Sequence, residues 1–185
     1  LESAEGNLSV REAVLLVLDA AGGHMSGRTV AQKLSYFAAG AIGQDLGHRA
    51  HYFGPYSRQV EASMSNSSFA GDLEESVVWF GSGHQYHYRL TDQGREAVKD
   101  LRARHRKNAE AIARTVTRLG QLVPGYPQHW LSLAAKVDLI IEQHGGPTRA
   151  ADIPKLADEL GWHVSPDDVA RAVEVLVGLD RVTAS

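Results

Sequence analysis

The densest chemistry in this chain is cationic. Arg102, Arg104, His105, Arg106 and Lys107 place five basic-type side chains in six positions, with Arg95 and Lys99 a turn or two earlier. Such a run can pair with phosphates, and its affinity would then fall steeply with salt. It can equally be a solvated helix face or an ion-pair network. Upstream, Arg58, Ser65 and Asn66 fall on one side of a helix-period segment, and Val60, Met64 and Ser67 fall on the other. In a major groove Arg pairs with guanine and Asn with adenine, so this is a base-reading pattern. Gly81-Ser82-Gly83 would let backbone approach a phosphate, with His84 and Arg89 close behind. Arg28, Arg49, Arg89, Arg102 and Arg106 are the candidate phosphate contacts.

Other chemistries lack their residues. There are no cysteines, which removes thiolate catalysis, disulfides and Cys-ligated zinc. Nine histidines invite a metal reading, but His48/His51 and His84/His87 are each three apart. On a strand that spacing points to opposite faces, so no metal site and no cofactor is expected. No Gly-x-Ser-x-Gly, phosphate-binding Gly-Lys-Ser/Thr loop or GxGxxG is present. Asp167-Asp168 reads as a helix start rather than an acid–base pair. An enzyme is not expected. Trp79, Phe80, Tyr86 and Tyr88 read as core and hairpin packing.

The elements that must position these residues are mostly helical. Ser9 with Glu12 forms a capping box for a helix ending at Gly22-Gly23, and Thr29 to Ile42 reads as a second helix. His48 to Phe53 is a short strand candidate. Gly54-Pro55-Tyr56-Ser57 is a turn, and Ser57 caps a third helix from Arg58 to about Phe69. Ser76–Phe80 and Gln85–Leu90 read as a hairpin. Thr91 caps a long helix reaching about Leu122. Its Val98, His105, Ile112 and Leu119 recur every seven residues, the spacing of a seam for a partner helix and so of a homodimer. Val123-Pro124-Gly125-Tyr126-Pro127 is the breakpoint before a second helical unit, in which Ser165-Pro166-Asp167-Asp168 starts the last helix.

Three segments carry a family likeness. Gly27-Arg28-Thr29-Val30-Ala31-Gln32-Lys33-Leu34, Tyr52-Phe53-Gly54-Pro55-Tyr56-Ser57 and Tyr88-Arg89-Leu90-Thr91-Asp92-Gln93-Gly94 resemble the YwgA-like winged-helix proteins, over roughly residues 9–100. The resemblance implies a fold more than an activity. Gln32-Lys33-Leu34 with Gly54-Pro55 is also faintly similar to the Panacea-type antitoxin domain. The interval Gly43 to Tyr56 is longer than an ordinary helix–turn–helix connection, which would displace the third helix from a simple reading pose.

The 185 residues carry a net charge of −3, unevenly spread. Residues 28–118 hold thirteen basic and nine acidic groups, while both flanks are acidic. A mildly positive middle is compatible with a local polyanion-binding face, not with indiscriminate coating of nucleic acid. No apolar run reaches membrane-spanning length, and Leu1–Val10 lacks a leader pattern, so a cytoplasmic location is expected. The fold class expected is mainly α (α+β). It comprises a winged helix–turn–helix domain (1–90), a long connecting and dimerisation helix (91–123) and a C-terminal helical module of helix–turn–helix type (124–185). The expected function is double-stranded DNA binding as a dimeric transcription regulator. The alternative is a protein-interaction module, an antitoxin or complex subunit, that keeps the fold without touching DNA.

Overall fold

A computed structural model describes residues 6–183. The chain is mainly helical with one small antiparallel sheet: α1 (Val10–Ala20), β1 (His24–Ser26), α2 (Arg28–Ile42), α3 (Arg58–Phe69), β2 (Leu73–Phe80), β3 (Gly83–Leu90), α4 (Asp92–Arg104), α5 (Arg106–Leu122), α6 (Gln128–His144), α7 (Ile153–Glu159) and α8 (Pro166–Gly178). The sheet order is β1-β3-β2, so β2 is an edge strand.

Two helices sit at the centre. In α1 every residue from Ala13 to Leu18 is buried, and in α2 every residue from Val30 to Ala39. A helix buried on all sides needs neighbours all round it. α1 is enclosed by α2, α3, α4 and α5, and α2 by α1, α5 and α6. The capping box at Ser9 forms as expected, with the Ser9 amide donating to Glu12 Oε2 at 2.7 Å. Gly22 and Gly23, both with positive φ, then turn the chain into β1, whose Met25 pairs with Tyr88 of β3. A three-residue strand between glycines carries no periodicity, and the sequence gives no sign of β1.

The expected long helix is two helices. At His105 the backbone leaves helical geometry (φ −125°, ψ 55°) and the chain bends. The bend lets α4 and α5 each lay an apolar side on α1. Val98, Leu101, Ala109, Ile112, Val116 and Leu119 are all buried within this one chain. The seven-residue seam is therefore filled from inside and is not open to a second copy.

The strand expected at His48–Phe53 is absent. Residues 43–57 form an irregular loop with one bridge, Arg49 to Tyr56. Its shape is fixed by side chains of α2. Gln32 pairs with the Ser57 backbone in both directions, Nε2 donating to the carbonyl at 2.9 Å and Oε1 accepting from the amide at 2.8 Å. Lys33 Nζ donates to the Pro55 carbonyl at 2.7 Å. Ser57 Oγ donates to Leu46 O at 2.6 Å and accepts from Val60 N, so it caps α3 while holding the loop. The Gln-Lys and Gly-Pro-Tyr-Ser segments are two halves of one lock.

The second unit packs on the first. Buried Asp138 of α6 accepts from Tyr36 Oη at 2.8 Å and from Arg181 Nε at 3.0 Å. Trp162 Nε1 donates to His51 O at 2.8 Å. The buried residues of both units form one continuous core. Ser165 and Asp168 complete a second capping box at α8. The final Ala184 and Ser185 lie outside the described residues. No described helix is long and apolar enough to cross a membrane.

Candidate functional site

The hairpin and α3 share one side of the molecule. Along α3, Val60, Met64 and Ser67 are buried and Arg58, Ala62, Ser65 and Asn66 are exposed, as the helical step requires. The candidate reading residues therefore do face outward. Among the described residues no carboxylate pairs with Arg58. Glu61, one turn on, accepts a hydrogen bond from Tyr56 Oη.

The hairpin is longer than the sequence indicates, and its two faces differ. Cross-strand pairs Glu75–Tyr88, Val77–Tyr86 and Trp79–His84 alternate with Glu74–Arg89, Ser76–His87 and Val78–Gln85. Successive side chains of a strand point to opposite faces, so His84 and Arg89 do not act together. His84 instead stacks on Trp79 (centroids 4.9 Å apart) and meets Tyr86 edge-on. Arg28 lies over the Tyr86 ring at 3.7 Å and donates to Tyr88 Oη.

Most of the expected phosphate contacts already hold carboxylates. Arg49 pairs with Asp45 at 3.0 Å, Arg89 with Glu74, Arg102 with Asp19 and Arg106 with Glu110 at 2.9 Å. In the basic run, Arg104 likewise pairs with Asp100 at 2.9 Å. Arg102 and Arg106 belong to α4 and α5, and neither lines the cavity where Arg28 and Ser65 meet. The nine candidate residues do not converge. Arg28, Arg58, Ser65, Asn66 and His84 belong to the hairpin–α3 side, whereas Arg49, Arg89, Arg102 and Arg106 are spread over other surfaces.

What the sequence missed is apolar. Tyr88 is buried as expected, but Trp79 and Phe80 are 72% and 58% exposed, with Val77 and Val78 beside them at 39% and 48%. Of the expected core and hairpin packing, Trp79 keeps the hairpin part, on His84, but neither Trp79 nor Phe80 reaches the core. Their strand runs past the end of the supporting core, and from Glu74 onward every residue of β2 is exposed. Tyr52 (73%) and Phe53 (53%) of the 43–57 loop are also exposed. The signal available in the sequence was Val77-Val78-Trp79-Phe80 itself, four apolar residues without alternation.

Below α3, the start of α2, the loop and β3 enclose a cavity of about 110 Å³. Arg28, Lys33, Phe53, Val60, Met64 and Tyr88 are among its walls. Lys33 is 1% exposed, and burial beside Lys136 pushes its ammonium down to about 7. His48, also buried, is pushed down to about 4, first by burial and then by the nearby Lys33 charge, against a hydrogen bond to the Gln32 backbone that favours the charged ring. Among the described residues no group of three His, Cys, Asp or Glu side chains is arranged to hold a metal ion.

A scan against models of known protein families finds no match to this chain, and a search among curated proteins finds none either.

Proposed function

We propose that this chain is a protein-interaction module of winged-helix type, and that the open edge of β2 with its Val77–Phe80 run is the contact made to a partner. The single observation carrying this reading is four consecutive exposed apolar residues on an unpaired strand edge. Soluble chains seldom leave such an edge uncovered, because its free amides and carbonyls template pairing with other chains. The partner that fits is an extended segment adding to β2, apolar where it meets Val78 and Phe80. Strand addition of this kind draws affinity from backbone hydrogen bonds and specificity from alternate side chains.

The ion pairs argue against duplex DNA as the main ligand. A phosphate reaching Arg49, Arg89, Arg102 or Arg106 would first have to displace a carboxylate and leave it beside a polyanion. Surface pairs are individually weak, so displacement is possible, but the stranded Asp or Glu offsets the gain. One observation favours DNA as a second reading: Arg58, Ser65 and Asn66 are exposed together on α3, and Arg58 has no acidic partner among the described residues.

The test is a comparison of two variants in two assays. Capture from extract of the native host should yield a stoichiometric protein with the wild type and with Arg58→Glu, and lose it with Val78→Glu/Phe80→Glu. A gel shift on genomic fragments at two salt concentrations should show no sequence-selective complex. A selective complex that Arg58→Glu abolishes and the hairpin variant keeps would replace this reading with the DNA one.

A further inference from the structure

We propose that the cavity between α2, α3 and the 43–57 loop binds a small organic carboxylate with a flat apolar body. This inference does not rest on the partner reading above.

Three features of the cavity point to such a ligand. The first is an uncompensated buried cation. Lys33 Nζ makes one hydrogen bond, to the Pro55 carbonyl, while an ammonium carries three donors. No carboxylate pairs with it among the described residues, and the titratable groups acting on it or feeling its charge are Lys136 and His48. Buried charges are normally paired, and one left with a single neutral acceptor is a standing attraction for an anion.

The second feature is charge balance. Of the ionisable residues around the cavity, Arg28 and Lys33 are basic, Glu61 is acidic, and His51 lies at the exposed side. Glu61 accepts from Tyr56, and Arg28 is stacked on Tyr86. With Lys33 protonated, one net positive charge remains, which suits a monoanion. The third is shape and lining. Ala31, Phe53, Val60, Met64 and the Tyr88 ring supply apolar wall, and the volume is about 110 Å³. An enclosed apolar cavity of roughly 150 Å³ accommodates benzene. This one is somewhat smaller but opens beside exposed His51, so a single ring fits with part of it in the mouth.

Binding would also move a proton. Burial holds Lys33 near 7, so at pH 8 most of the empty protein carries a neutral amine there. A carboxylate arriving beside it favours the charged form and draws a proton in from solution.

The experiment is calorimetric titration of the full chain at pH 8 with benzoate, its neutral counterpart benzamide, and benzylamine. Benzoate should bind at least tenfold more tightly than benzamide, and benzylamine should not bind. The heat of benzoate binding should differ between HEPES and Tris by the amount expected for uptake of close to one proton. Lys33→Met should remove the preference for benzoate over benzamide. Met64→Trp, which fills the cavity and leaves Lys33 in place, should abolish binding of both, and it decides the matter if Lys33→Met does not fold. Equal affinity for benzoate and benzamide, no binding by the wild type, or undiminished benzoate binding by Met64→Trp would each overturn the proposal.

Discussion

Replacing Lys33 by Met should change how stability depends on pH, and the size of the change follows from the structure. Lys33 lies 1% exposed in α2 with one hydrogen bond, to Pro55 O at 2.7 Å. An unfolded lysine titrates near 10.5, and burial pushes the folded one down to about 7. Between those two values the unfolded chain binds a proton that the folded chain does not. Stability therefore rises with pH across that window, and below it both states are protonated and the burial penalty is fully present. Each pH unit of separation corresponds to about 1.4 kcal/mol, so the penalty near neutrality is on the order of 4 kcal/mol, and about half of it is relieved by pH 9. Urea unfolding at pH 7 and pH 9 measures this directly. The wild type should gain about 2 kcal/mol more than Lys33→Met over that interval, since other titrating groups are common to both. Equal gains would mean that Lys33 is solvated or paired in solution, and the argument from its burial would fail.

Three further outcomes test the packing. Asp138→Ala should destabilise by about 1–3 kcal/mol, read by chemical unfolding, because it removes the buried carboxylate that Tyr36 and Arg181 share and leaves both with only the more exposed Glu142. Gly94→Ala should cost about 1–3 kcal/mol in the same assay, since a Cβ there would meet the Asp72 carbonyl oxygen at 2.1 Å. His48 is held neutral down to about 4. Stability should therefore fall as pH drops from about 6.5 towards 4, where the unfolded imidazole takes up a proton first, by about 3 kcal/mol. His48→Phe should flatten that fall, and an unchanged acid limb would contradict the burial argument.

Local signals read truly wherever a side chain acts within its own turn of chain. Ser9 with Glu12, Ser57, Thr91 and Ser165 all cap the helices they were expected to cap. The Thr-x-x-Gly ending of the hairpin makes sense as a Thr91 Oγ1 that accepts from Gly94 N at 3.0 Å. The buried and exposed sides of α3 also followed from helical spacing.

Tertiary choices were not legible. A heptad pattern states that one side of a helix is apolar. It does not state whether α1 and α2 or another chain covers that side, and the bend at His105 belongs to the folded core. Arg89 and Arg102 look like free cations in sequence because Glu74 and Asp19 reach them only across the sheet and across helices. Lys33 itself was visible only as part of a resemblance, because nothing local marks a lysine for burial.

The central claim is that the edge of β2 is where this chain is held by another protein. Amide hydrogen exchange on the complex captured from the native host, compared with the isolated chain, measures that edge directly. The account predicts slowed exchange concentrated in Leu73–Phe80, with α3 unchanged. Protection confined to α3 around Arg58 and Asn66, with Val77–Phe80 exchanging as fast as before, would contradict it.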